Sequence, residues 1–137
     1  MTRDAELSTI GHVLARHGGV RFALVFGSTA RGTAGAESDI DVAVAVDSGT
    51  DLIQLSADLT QAVVREVEIV DLTEAGVPLL EEVLQDGVVV YERRPHVAAS
   101  WRGRVLSDLE VDRPWYARMR DAWLRRVAER GLIDGQS

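Results

Sequence analysis

The sequence predicts one α/β domain of the α+β kind: a small, mixed, twisted β-sheet with helices on one face and a helical C-terminal extension. Three observations predict it. Apolar runs of strand length alternate with helical patterns between residues 3 and 91. The run at 20–26 is apolar on both faces, which marks a central strand. After Arg94 no β-type run recurs, and apolar residues return only at helical spacing. A length of 137 residues suits one domain with a real core.

Each element has a local reason. Leu7, Ile10, Val13 and Leu14 recur at helical spacing over 3–17, Thr2 is placed to cap the start, and Gly18-Gly19 end it. Residues 20–26 alternate Phe22, Leu24 and Phe26 against Ala23 and Val25. Residues 39–46 form a second strand, with Ile40, Val42, Val44 and Val46 on one face and Asp39, Asp41, Ala43 and Ala45 on the other. A turn at 47–50 leads to a helix over 51–65, with Leu52, Leu55, Leu59, Ala62 and Val63 inward. Residues 67–72 read as a third strand. Pro78 suits the first turn of a short helix that runs to Gln85, and Val88 to Tyr91 read as a fourth strand at a sheet edge. In the tail, Val97, Trp101, Val105 and Leu109 form one helical stripe. Tyr116, Met119, Trp123 and Val127 form a second, opened by Pro114, and residues 131–137 read as frayed. The expected organisation is a core over 1–94 and a helical extension over 95–137 that packs on it within the same domain.

Composition narrows the function classes. With no Cys, disulfides and Cys-based zinc sites are excluded. All fifteen basic residues are Arg, so chemistry that needs a P-loop or Schiff-base lysine is excluded as well. Charge is uneven: residues 1–92 hold five Arg against sixteen acids, and residues 93–137 hold ten Arg against six. An acidic body repels phosphate backbones, so broad nucleic-acid binding is not expected, whereas a site that gathers divalent cations is compatible. The Arg-rich tail reads either as a solvated helical face or as a partner surface. It also holds Trp101, Trp115 and Trp123, whose helical spacing favours core packing, while three in one short tail raise the case for an interface. No stretch reaches the apolar length of a membrane span and no signal-peptide pattern opens the chain, so a cytoplasmic protein is expected.

The chemistry-bearing stretch is Phe26-Gly27-Ser28-Thr29-Ala30-Arg31-Gly32, a short loop, then Ser38-Asp39-Ile40-Asp41-Val42. Gly27 allows a sharp turn and a close approach of backbone to a ligand. The Ser28 hydroxyl and nearby N–H groups suit a terminal phosphate. Two residues apart on one strand, Asp39 and Asp41 point the same way. Paired carboxylates with substrate phosphates are what Mg²⁺ takes as ligands, and two such ions support in-line phosphoryl displacement. A third carboxylate belongs on the adjacent strand. Glu68 and Asp71 are the candidates, and strand parity puts them on opposite faces. Small Ala43 and Ala45 leave the face below the acids open, for a ligand or for a closely packed helix. His12, His17 and His96 lack partner spacing, and Ser28 lacks a His/Asp relay.

Gly27-Ser28, ten intervening residues and Asp39-Ile40-Asp41 resemble the signature of the DNA polymerase β-like nucleotidyltransferase superfamily. The Gly-Ser-x-Ala-Arg-Gly run and the segment from Val67 to Tyr91 resemble its minimal branch, the MntA-type antitoxins paired with HEPN-domain toxins. The resemblance implies that Gly27 and Ser28 hold nucleotide phosphates and that Asp39 and Asp41 bind two Mg²⁺ ions. This branch carries an acid, two apolar residues and a second acid on the third strand, the first acid being catalytic. By that match Glu68 is the third carboxylate. Arg31 is either a phosphate contact or an exposed turn residue. The implied reaction is transfer of AMP from ATP to a tyrosine of a cognate HEPN toxin. The alternatives are a nucleotidyltransferase for a small-molecule hydroxyl, which would normally need a second domain, and an antitoxin that blocks its toxin by binding alone.

Overall fold

A computed structural model describes residues 1–32, 38–109 and 113–130, with the side chains of 113–117 and 130 excepted. The elements are α1 (Arg3–Arg16), β1 (Val20–Phe26), α2 (Gly27–Arg31), β2 (Ile40–Val46), α3 (Leu52–Val63), β3 (Val67–Asp71), α4 (Val77–Asp86), β4 (Val88–Glu92), α5 (Val97–Asp108) and α6 (Arg113–Arg130). The connection between Gly32 and Ser38, the side chains of Trp115 and Tyr116, and residues 131–137 lie outside what is described.

Local chemistry sets the helix ends. The Thr2 hydroxyl accepts the Ala5 N–H at 3.1 Å and caps α1, whose first turn carries Asp4 and Glu6. Asp51 does the same for α3 by accepting the Gln54 N–H at 3.0 Å. Pro78 lies in the first turn of α4, where no N–H is needed.

The four strands lie in the order β3-β2-β1-β4. β1 is antiparallel to both β2 and β4, and β2 is parallel to β3. A parallel neighbour requires a crossover, which α3 provides. As a result the C-terminal end of β1 and the N-terminal ends of β2 and β3 share one end of the sheet.

Helices cover both faces of the sheet rather than one. α1 and α3 bury Ala23, Val25, Ile40, Val42, Val44, Val88 and Val90. On the other face Phe22, Leu24, Phe26, Ala43, Ala45 and Val89 pack with Val83 of α4, Ala98 of α5 and Trp123 of α6. The reason is that β1 is apolar on both sides, so a sheet covered on one face alone would expose Phe22, Leu24 and Phe26. Ala43 and Ala45 are buried and lie under packed helices rather than under an open hollow.

The tail helices are tied to this second face by aromatic and arginine contacts. Phe22 and Trp101 rings stand 5.5 Å apart and tilted at 52°. The buried Arg102 guanidinium lies 5.0 Å from the centroid of Trp123, joining α5 to α6. Arg126 donates to the carbonyls of Leu84 and Gly87, both at 3.2 Å, and so satisfies the C-terminal end of α4. Trp123→Ala removes the aromatic from this seam. It is expected to cost about 3–5 kcal/mol, seen in urea unfolding as a lower midpoint.

Candidate active site

The site begins where β1 ends. Gly27 takes φ +73°, a conformation that L-residues avoid, and starts the five-residue α2. Phe26 is the register partner of Asp41 on β2, so the Asp41 side chain lies against the turn. A Cβ on Gly27 would stand 2.6 Å from Asp41 Oδ2. Glycine is therefore required twice, once by the backbone and once by the carboxylate that occupies the space of a side chain. At the far end of α2, Gly32 adopts φ +77° and its N–H closes on Ser28 and Thr29 carbonyls. Arg3 reaches over from α1 and donates to the Thr29 carbonyl at 2.8 Å and to that of Ala30. The glycine turn is thus braced at both ends.

β3 brings the next carboxylate. In the parallel pairing Asp41 is opposite Glu68, and Val44 is opposite Asp71. Register partners share a face, so Glu68 stands beside Asp41 on the side of α4. Asp71 points to the other face, and its Oδ1 accepts the Thr73 N–H at 2.9 Å to close the turn after β3. Asp39 precedes β2 and is exposed. With Glu68 it borders an open hollow of about 650 Å³ that also touches Ser56, Ala57, Glu66 and Ile69.

Electrostatics single out Asp41. Burial pushes its carboxyl above the ordinary value, and the charges of Glu68, Glu82 and Asp39 push it the same way. Arg31 opposes them. Glu82 was not foreseen: it sits on α4 in no motif, and only the packing of that helix over the second face brings it within range. Arg31 is paired across the fold. Its Nη1 donates to Asp86 Oδ2 at 2.8 Å, one helical turn beyond Glu82. The pair borders a cavity of about 480 Å³ with Arg3, Ala30, Val88, Arg126 and Glu129. Gly27, Ser28 and Asp41 line neither of these two spaces.

The donor set is all hard oxygen, which suits Mg²⁺. Among the described residues no three His, Cys, Asp or Glu side chains already stand at metal-binding spacing. By donor chemistry alone, the carboxylates of Asp39, Asp41 and Glu68 suit such a cation. No helix among the described residues is long and apolar enough to cross a membrane.

No curated protein matches the sequence. Solved structures do. A chain of a toxin–antitoxin complex with AMP-PNP is 24% identical, with a TM-score of 0.57, over 90% of this chain and 91% of that one. A chain from the complex of tri-AMPylated Shewanella oneidensis HEPN toxin with MNT antitoxin is 21% identical, with a TM-score of 0.54, over 94% and 92%. A structure assigned as a minimal nucleotidyltransferase is 36% identical, with a TM-score of 0.52, over 61% and 88%. The first two likenesses are in fold. The sequence itself matches the family described as polymerase beta, nucleotidyltransferase, over residues 8–96, a span that holds the glycine turn and all the carboxylates around Asp41. The chain belongs to the polymerase β nucleotidyltransferase family.

Proposed function

We propose that this nucleotidyltransferase moves AMP from ATP to a tyrosine hydroxyl of a cognate HEPN toxin and so acts as an antitoxin. The observation that carries the chemistry is the fit of the Asp41 carboxylate into the space a side chain would fill on Gly27. It sets the glycine turn against Asp41, which is opposite Glu68, at one end of the sheet. The choice of acceptor is supported by the two toxin–antitoxin complexes whose chains share this fold, one holding AMP-PNP and the other a tri-AMPylated toxin.

In this reading the triphosphate lies along the Gly27–Ser28 turn, where backbone N–H groups and the Ser28 hydroxyl bind its oxygens. Asp39, Asp41 and Glu68 would hold Mg²⁺, which when bound neutralises phosphate charge in the transition state. Arg31 exchanges Asp86 for a phosphate oxygen as the nucleotide arrives. Exposed Glu68 takes the proton of the acceptor hydroxyl. The acceptor oxygen bonds to the α-phosphorus, the bond from that phosphorus to the bridging oxygen breaks, and pyrophosphate leaves.

The test is incubation with Mg²⁺, ATP labelled in the α-phosphate, and a HEPN toxin or small hydroxylated acceptors, beside an Asp39→Ala/Asp41→Ala variant. Label on the toxin tyrosine supports the proposal. Label on a small hydroxyl compound moves the acceptor to that class. No transfer, with the variant still inhibiting the toxin, makes the chain a binding antitoxin. A second comparison checks the third carboxylate. Glu68→Gln is expected to lower transfer about 10²–10³-fold. Asp71→Asn, on the other face, should leave it within about threefold.

A further inference from the structure

Asp39 has an exposed side chain, so its aim depends on the backbone to either side. That backbone is gripped twice. The Ile40 N–H donates to the Glu66 carbonyl at 2.9 Å. The Ser38 carbonyl accepts from both Nε and Nη2 of Arg65, the first at 3.1 Å. The remaining nitrogen of the same guanidinium, Nη1, donates to both oxygens of Glu6, each at 2.9 Å. The Glu6 and Arg65 side chains are 8% and 14% exposed. One planar fork therefore links α1, the chain just past α3 and the residue before Asp39.

The backbone turns sharply just before Arg65. Val64 ends α3 in the left-handed region, φ 56° and ψ 38°, with 85% of its surface exposed. A β-branched residue resists that conformation, and nothing is gained by burying it. The turn carries the chain from α3 back toward β3 and points Arg65 at Ser38 and Glu6. Strain at a site calls for a reason outside local propensity. A buried ion pair is no better for stability than an apolar pair of the same volume. What an apolar pair lacks is the ability to hold the Ser38 carbonyl.

We propose that Arg65, oriented by Glu6, is a positioning residue for Asp39. The Arg65 guanidinium acts through the Ser38 carbonyl and Glu6. It fixes the peptide before Asp39, so that this carboxylate meets the charge it shares with Asp41. The proposal rests on the nucleotidyl-transfer reading above.

The test is a double variant, Glu6→Leu/Arg65→Met, which replaces the ion pair by apolar volume and frees the Ser38 carbonyl. Four measurements are made on the full chain: thermal midpoint, amide hydrogen exchange at Ile40, Mn²⁺ affinity by titration, and AMP transfer. A residue that merely supports the fold would lose transfer only as the midpoint falls. The expected result is a midpoint near that of the parent chain with Ile40 exchange about tenfold faster, a Mn²⁺ dissociation constant about tenfold higher, and kcat about 10–100-fold lower at a KM for ATP within about threefold. Parental exchange and Mn²⁺ affinity in the double variant overturn the proposal. Should that variant unfold, the milder Glu6→Gln replaces it. It keeps a hydrogen-bond acceptor for Arg65 and is expected to shift exchange and affinity the same way by a smaller factor; no shift overturns the proposal. If the parent chain neither binds Mn²⁺ nor transfers AMP, the reaction reading fails by itself. Ile40 exchange then decides the latch: faster exchange in the variant supports it, and unchanged exchange removes it.

Discussion

Asp41→Asn is expected to abolish transfer, by about 10³-fold or more, and at the same time to raise the thermal midpoint of the metal-free protein. The two effects have one cause. Burial and the charges of Glu68, Glu82 and Asp39 hold the folded-state pKa of Asp41 above its unfolded value. The native state then binds the proton more tightly than the unfolded chain. Stability is highest below the unfolded value, falls as pH rises through the window up to the folded value, and stays at the lower level above it. Above that window the carboxylate is a net cost to the fold. Asn removes the charge and keeps the shape. Because Asp41 is partly open to water, the gain is modest, a rise of roughly 1–3 °C. In a pH series the variant's advantage over the parent chain should shrink as pH falls through that window and vanish below the unfolded value. Adding Mg²⁺ should raise the parent's midpoint and leave the variant's nearly unchanged. A variant that melts lower at neutral pH would mean that Asp41 is stabilised by something other than a cation.

Gly27→Ala is expected to cost about 1–2 kcal/mol from the left-handed backbone alone, with a further loss from the contact at Asp41. A Cβ 2.6 Å from Oδ2 cannot be accommodated in place. The carboxylate is the flexible partner, so it swings away from the turn. Transfer should then fall about 10²-fold even in the fraction that stays folded, since a misplaced reacting group loses that much. A double-mutant cycle separates the two costs. With Asp41→Ala already present, the added methyl meets no carboxylate and only the backbone cost should remain. Coupling near zero between the two positions in urea unfolding would mean that the close approach contributes nothing.

These two residues were legible in the sequence because their relations are local. A glycine after an apolar strand and acids two apart on the next strand follow from the period-two geometry of one extended segment. The strands and helices were legible for the same reason, with ends within a residue or two of the caps at Thr2 and Asp51. The choice between Glu68 and Asp71 was only half legible. Parity puts them on opposite faces, but which face meets Asp41 depends on how β3 slides along β2, and one residue of slip exchanges the faces. The parallel register that pairs Asp41 with Glu68 is set by packing, with Ile69 on the α1–α3 side and Val70 on the α4–α6 side.

Glu82, Asp86, Arg65 and Glu6 were not legible at all. Each acts across a distance in sequence that no periodicity spans: 55 positions from Arg31 to Asp86 and 59 from Glu6 to Arg65. Their placement follows from where α4 and α1 come to rest on the sheet. The same holds for the second helical layer. Three tryptophans at helical spacing in an Arg-rich tail favour core packing but leave an interface open, and only the burial of Trp123 in the cluster that holds Ala43 and Ala45 shows that this aromatic packs inward. Short-range spacing carries the chemistry of a motif, because a strand or a turn dictates where neighbouring side chains point. How that motif is charged, braced and aimed depends on side chains brought in from other elements, and those positions exist only once the helices have packed.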